Sequence, residues 1–361
     1  KKGYVEVKLV KASVGSEKGQ EKVETSKMSI AQATSIGVID DSAQKSSLHK
    51  EVQGLVRSWF GSTADYVELK LNTQSCPLGQ LSFEQISKGK DLLDEARKLL
   101  HSTKKVESEL DKLTSNYYSN IPHNFGYGRI DPNFLRLDSD QKLDQALDFL
   151  DVLGSAKNVQ GILTKKSAID DQFKSLNSEI EFIDPSDPLY KWIHTMFHET
   201  RASNHSGLGK LKVHRMFKLN RKNEKETWLE TAEKIAKENC TFNPSSVYSH
   251  LIKDRPDVPK ELETLYKKAN ILPGWHGTRR ANMIGITAKG LLIRPSGVVH
   301  SGSMYGDGIY VGSNSSKSIN YVDVKGSYWA QGTNKTGFFF LADCIFGKQK
   351  MAGYSSYYSK D

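Results

Sequence analysis

Apolar positions along the chain change their spacing twice, and each change predicts a different kind of element. Residues Tyr4 to Val10 alternate as YVEVKLV, the period-two pattern of a half-exposed strand. It has no partner nearby in sequence and is expected to close a domain lying mostly upstream. The Ser-, Gly-, Lys-, Glu- and Gln-rich stretch to about Lys45 keeps no apolar period and reads as a linker. From Ser47 the spacing becomes three and four, and Val52, Leu55, Val56 and Trp59 predict a helix. A turn at Cys76-Pro77-Leu78-Gly79 precedes Ser82, which can form a capping box with Gln85. Further helical faces follow in order: Ile86, Leu93, Ala96 and Leu100; Val106, Leu110, Leu113 and Tyr117, ended by Pro122; and Leu143, Ala146, Leu147, Leu150 and Leu153. Residues 46–165 therefore read as an all-α bundle.

Past residue 166 the texture is mixed. Leu208 to Asn220 reads as a strand, and Lys222 to Asn239 as a solvated, charged helix. Glycine is dense from Gly274 onward, and the apolar run Gly337 to Phe346 is too short to span a bilayer and carries Asp343, so it reads as a buried strand. The class expected is an all-α bundle followed by an α+β domain.

Composition narrows this little. At 361 residues with 37% hydrophobic and 26% charged positions, the chain is ordinary globular material of two-domain size. A net charge of +9 favours polyanions as partners without naming one. Cys76, Cys240 and Cys344 are too widely spaced for a disulfide framework or a zinc motif, which points to a reducing compartment and no metal. Lys1 opens the chain and a tyrosine-rich run closes it, so both ends are expected to be cut.

Chemistry concentrates between Trp275 and Tyr321, where WHGT, GDGIY and KSINY follow within 47 residues. Alone, His276 reads as a structural hydrogen-bonder and Tyr310 as a core strand tyrosine; the joint spacing changes that reading. The runs Trp275–Ile293, Ser301–Gly312 and Ser315–Tyr321 resemble the NAD-binding signature of poly(ADP-ribose) polymerases. Cys76–Leu100 and Asn116–Gly126 resemble that family's helical regulatory domain, and Gly3–Val10 is similar to the last strand of its WGR domain. The resemblance implies residues 1–14 as the end of a WGR domain, 15–45 as linker, 46–165 as the regulatory bundle, and 166–361 as a C-terminally truncated ADP-ribosyltransferase domain with two small antiparallel sheets.

It further implies NAD as substrate, held without a metal. His276 and Thr278 would hold the adenosine ribose, Gly277 and Ser318 the nicotinamide carboxamide, and Tyr310 and Tyr321 the two faces of the nicotinamide ring. Lys317 would stand at the catalytic centre beside His276 and Tyr310. Gly285, Arg294, Gly302, Ser303 and Tyr305 would complete the NAD contact. Implied partners are protein acceptors including the enzyme itself, poly(ADP-ribose), and damaged DNA bound through upstream domains. The implied setting is nuclear, with no membrane.

Departures from the family pattern are specific. Its triad needs a glutamate after the histidine and tyrosine, whereas the last glutamate here is Glu263. Asp307, Asp323 and Asp343 follow, but the family's glutamate lies on a later strand, so truncation is the expected reason and the 361-residue chain is expected to be nearly inactive. Leu292 stands where the family commonly has an arginine, and Asn124 where its regulatory domain carries an aspartate. Three outcomes stay open: a polymer-forming transferase of the DNA-damage response, a mono-ADP-ribosyltransferase, or a silent NAD- or polymer-binding scaffold.

Overall fold

A computed structural model describes residues 7–14, 46–72, 78, 80–102, 107–125, 131–159, 168–202, 211–221, 224–238, 240, 252, 255–291, 308–327, 330 and 332–349. The helical part comprises α1 (Lys50–Lys70), α2 (Phe83–Leu100), α3 (Glu107–Asn120), the single turn α4 (Pro132–Leu135) and α5 (Asp140–Asn158). The capping box forms as the sequence predicts: the Gln85 N–H donates to Ser82 Oγ at 3.0 Å, and the Ser82 N–H donates to Gln85 Oε1 at 2.8 Å. The Arg97 guanidinium, 1% exposed, binds Asp140 at 3.2 Å and Asp144 at 2.7 Å, which ties α2 to α5. Val52, Leu55, Val56 and Trp59 of α1 are buried, as their spacing implies.

α5 departs from its predicted face. Besides Leu143, Ala146, Leu147, Leu150 and Leu153, it buries Phe149, Val152 and Ala156, so it is covered on more than one side. Phe149 meets Tyr66 and His123 of the helical part at 6.0 and 5.0 Å, and further cover comes from the α+β part, whose Ala281, Met283 and Ile284 join the same hydrophobic cluster.

That part contains α6 (Ile169–Ser175), β2 (Ser178–Ile183), α7 (Pro188–Glu199), β3 (Leu211–Arg221), α8 (Glu224–Ala236), α9 (Glu263–Lys268), β4 (Ile271–Gly277), α10 (Met283–Lys289), α11 (Ser315–Ile319) and β5 (Thr336–Ile345). Counting β1 (Val7–Val14), they build a five-stranded antiparallel sheet in the order β2-β3-β1-β5-β4. The early strand is hydrogen-bonded inside this sheet, between β3 and β5. Its alternation revealed a strand but not its neighbours, because strand pairing is a long-range property.

β5 is buried from Gly337 to Cys344, as its unbroken apolar run requires. Its side chains alternate between two cores: Phe338, Phe340 and Ala342 face the helical part, and Phe339 and Leu341 face α7. Asp343 is neutralised by a bidentate contact with Arg255, at 2.6 and 2.7 Å, and accepts a hydrogen bond from the Tyr266 hydroxyl at 3.0 Å. α8 is the solvated helix its charges announce, burying only Trp228 and Ala232. Smaller pairings outside the main sheet join Trp275 to Gly312, Val324 to Asn334 and Lys325 to Gly332. Among the described residues no helix is long and apolar enough to cross a membrane.

Candidate functional site

The edge strand β4 carries Trp275-His276-Gly277 to its end, and α11 packs against it. At Gly277 the two elements are so close that a Cβ would overlap the Ser318 carbonyl oxygen and lie 3.3 Å from Tyr321 Cβ. Only glycine permits that approach, so this position is a backbone-lined niche rather than a side-chain contact. The Ser318 hydroxyl donates to the Trp275 carbonyl at 2.8 Å, leaving its lone pairs as acceptors. The same carbonyl accepts the Gly312 N–H at 2.8 Å.

Two aromatic side chains remain open beside this niche. Tyr310 and Tyr321 are each 37% exposed, unlike the buried aromatics of the neighbouring core. His276 is half-buried, and its Nδ1–H donates to the Tyr310 carbonyl at 3.0 Å. That bond sets the tautomer in which Nε2 is an acceptor. Surrounding protein atoms lower the His276 pKa against the opposing pull of the Tyr310 carbonyl, so the ring is neutral near pH 7. Thr278, 8% exposed, accepts a hydrogen bond from Asn282 Nδ2 at 3.2 Å.

The helical part borders the same residues. Asp148 of α5 pairs with Arg279 at 3.2 Å, and Arg279 also donates to the Ala330 carbonyl at 3.1 Å. Burial raises the Tyr321 pKa, and the charge of Asp144 on α5 adds to the effect. Tyr66 of α1 is pushed up to about 12 by burial, against the pull of Arg279. The arrangement sets a backbone-lined niche, two exposed tyrosines and a neutral imidazole within one short stretch of the chain.

Two family models match the chain: the regulatory domain of poly(ADP-ribose) polymerase over residues 46–182, and the poly(ADP-ribose) polymerase catalytic domain over residues 189–360. The chain belongs to the poly(ADP-ribose) polymerase family. Poly [ADP-ribose] polymerase 1 of Danio rerio is 30% identical over 283 residues, which is 77% of this chain and 24% of the relative. Poly [ADP-ribose] polymerase 2-B of Oryza sativa is 25% identical over 296 residues, 81% of this chain and 42% of the relative. Protein mono-ADP-ribosyltransferase PARP3 of Homo sapiens is 25% identical over 291 residues, 78% of this chain and 45% of the relative. The chain thus spans less than half the length of these relatives.

Within this family frame, the structure brings His276, Gly277, Ser318, Tyr310 and Tyr321 together, with Thr278 just beyond. Lys317 is exposed on α11, one residue from the buried Ser318. Gly285 lies on α10, against α5. A Cβ there would overlap the Ser155 hydroxyl, and the residue lines a cavity of about 410 Å³ between α5 and α10 with Ser155, Asn158 and Ile284. Its lack of a side chain lets α10 approach Ser155 of α5. Leu292, Arg294, Gly302, Ser303, Tyr305 and Asp307 lie outside the described residues. Of the aspartates singled out after His276, Asp343 is bound by Arg255, and Asp323, whose pKa is raised by burial, accepts from Asn334 Nδ2 at 3.0 Å. Asn124 is exposed, its N–H bonded to the Lys70 carbonyl at 2.8 Å. Thr200, Arg279 and Asp148 were not singled out in the sequence; each acquires meaning only from a partner distant in the chain.

Proposed function

We propose that this chain binds NAD with its nicotinamide end in the Gly277–Ser318 niche and serves the transfer of ADP-ribose to protein acceptors, with release of nicotinamide. The observation that carries the reading is the close backbone approach at Gly277, flanked by two open tyrosines. Bound NAD supplies a ribose–nicotinamide bond whose cleavage builds positive charge on the ribose. The protein's part is to orient and enclose. Gly277 and Ser318 hold the carboxamide, Tyr310 and Tyr321 flank the ring, and neutral His276 offers Nε2 to a ribose hydroxyl. Residues 264–361 contain no glutamate, so this stretch captures NAD without supplying the carboxylate that the family places near the ribose.

In the same reading α5 gates the niche from the side of Asp144 and Asp148, and the whole protein acts in the nuclear response to broken DNA, elongating poly(ADP-ribose). Single-residue transfer is the second reading, favoured by the similarity to a relative named as a mono-ADP-ribosyltransferase. Product length on labelled NAD separates the two. Substituting Gly277→Ala tests the niche itself. Nicotinamide binding by titration calorimetry is expected to fall about a hundredfold or more, since a Cβ cannot be accommodated without moving backbone. Equal affinity in a folded Gly277→Ala protein would sink the reading.

A further inference from the structure

The niche depends on the relative placement of β4 and α11, and besides the direct Ser318–Trp275 bond a buried hydroxyl from outside both elements ties them together. Thr200 follows the last turn of α7, is 0% exposed, and donates its hydroxyl proton to the Met196 carbonyl at 2.6 Å. Its oxygen accepts two further hydrogen bonds: from the Trp275 indole N–H at 3.1 Å and from the Ser315 backbone N–H at 3.3 Å. A threonine hydroxyl has one proton and two lone pairs, and all three are used here.

Each partner leads directly to the niche. Trp275 precedes His276 and Gly277, and its carbonyl accepts from Ser318 Oγ. Ser315 opens α11, three residues before Ser318. The end of α7 reinforces the join through neighbouring bonds: Ser315 Oγ donates to the Phe197 carbonyl at 2.7 Å, and the Ala202 N–H donates to Ser316 Oγ at 2.9 Å. The indole is also gripped by apolar contacts, stacked on Phe339 at 4.9 Å and edge-on to Phe197 at 6.2 Å. Packing fixes the plane of the Trp275 ring, but only Thr200 bonds both its N–H and the first amide of α11.

We infer that Thr200 is the positioning residue of the nicotinamide niche, holding Gly277 and Ser318 at their mutual distance through Trp275 and Ser315. It touches no ligand itself. Removing the hydroxyl leaves two buried N–H groups without an acceptor. Their relief requires β4 or α11 to shift toward water, which opens the niche. The inference rests on the proposed nicotinamide reading for its consequence, but not for its geometry.

Two measurements on the whole chain keep these apart. In Thr200→Val, which preserves shape, hydrogen exchange at the Trp275 indole and the Ser315 amide is expected to accelerate, and Thr200→Ser is expected to restore protection. Exchange unchanged in the valine variant overturns the inference whether or not nicotinamide binds. Nicotinamide affinity is expected to drop about tenfold in Thr200→Val and to stay within about threefold in Thr200→Ser. A wild-type protein that fails to bind nicotinamide removes the niche reading while the exchange result still decides the role of Thr200. Equal loss in the valine and serine variants reduces Thr200 to a packing residue and overturns the inference. Should Thr200→Val not fold, Trp275→Phe deletes one of the two donors, and unchanged protection at Ser315 together with unchanged affinity counts against it.

Discussion

The two faces of β5 are held in different ways. Toward the helical part, Phe338, Phe340 and Ala342 share a broad apolar cluster with Trp59, Leu150 and Met283. Polar crossings on this face include the bond from Thr63 Oγ1 to the Ala281 carbonyl at 3.2 Å and the Arg279–Asp148 pair. Toward α7, Phe339 and Leu341 share their core with a mesh of hydrogen bonds through Thr200, Ser315, Ser318 and Trp275. Apolar contact gives attachment strength but little directional control, whereas hydrogen bonds fix distance and angle. The Trp275–Ser318 end of the candidate site is tied into the hydrogen-bonded side, whereas the helical part is attached mainly by area.

That contrast can be broken most forcefully at Trp59, which is 0% exposed and meets Phe338 edge-on at 5.9 Å. Trp59→Ala is expected to cost about 3–5 kcal/mol in urea unfolding. Well below the transition it should leave nicotinamide affinity nearly unchanged, and a tenfold loss would show that the two faces are not independent.

A smaller effect is expected from pH. His123 packs among Tyr117, Tyr118, Phe125 and Phe149, and burial lowers its pKa from 6.5 to about 4. The folded state therefore binds fewer protons than the unfolded chain between those values. Its contribution is complete above 6.5 and is lost as pH falls toward 4. By pH 5 the loss is on the order of 2 kcal/mol. Asp94, raised to about 6 by burial, works in the opposite direction but is half exposed and counts for less. Comparing wild type with His123→Gln at pH 7 and pH 5 isolates the histidine: the pH-dependent loss should shrink in the variant.

The smallest change is expected at the crossing itself. Arg279 and Asp148 are each about one-quarter exposed, so Arg279→Gln should cost only about 0.5–1 kcal/mol overall. Amide exchange in α5 that accelerates by more than this global loss accounts for would support a gate; no acceleration beyond it would remove Arg279 from it.

How much of this could be read in advance depended on the range of the interaction. The capping box at Ser82 and Gln85 is local and was legible, as was the buried strand at Gly337–Phe346. The proximity of Gly277, Ser318 and Tyr321 was implied by the family resemblance that WHGT, GDGIY and KSINY carry, because these residues come from one short stretch. Thr200 was not: its partners lie 75 and 115 residues away, and nothing near it in sequence announces them. The packing of Gly285 against Ser155 was equally hidden, because Ser155 lies on a helix far away in sequence. The extra buried positions of α5, Phe149 and Val152, likewise needed knowledge of the surfaces that cover them.

The triple phenylalanine of β5 carries one more implication. A strand that slips by one residue exchanges its two faces, and most strands resist because the exchange puts the wrong side chain on each side. Here a slip across Phe338, Phe339 and Phe340 replaces phenylalanine with phenylalanine, so the aromatics themselves cannot keep the alignment. The ends do so instead. Gly337 fits where any Cβ would overlap the Val322 and Val324 methyls, and Asp343 is clamped by Arg255 six residues further on. The smallest and the most polar residues of this strand act as its index marks, so exchanging aromatics for other large apolar residues should be tolerated far better than moving either mark.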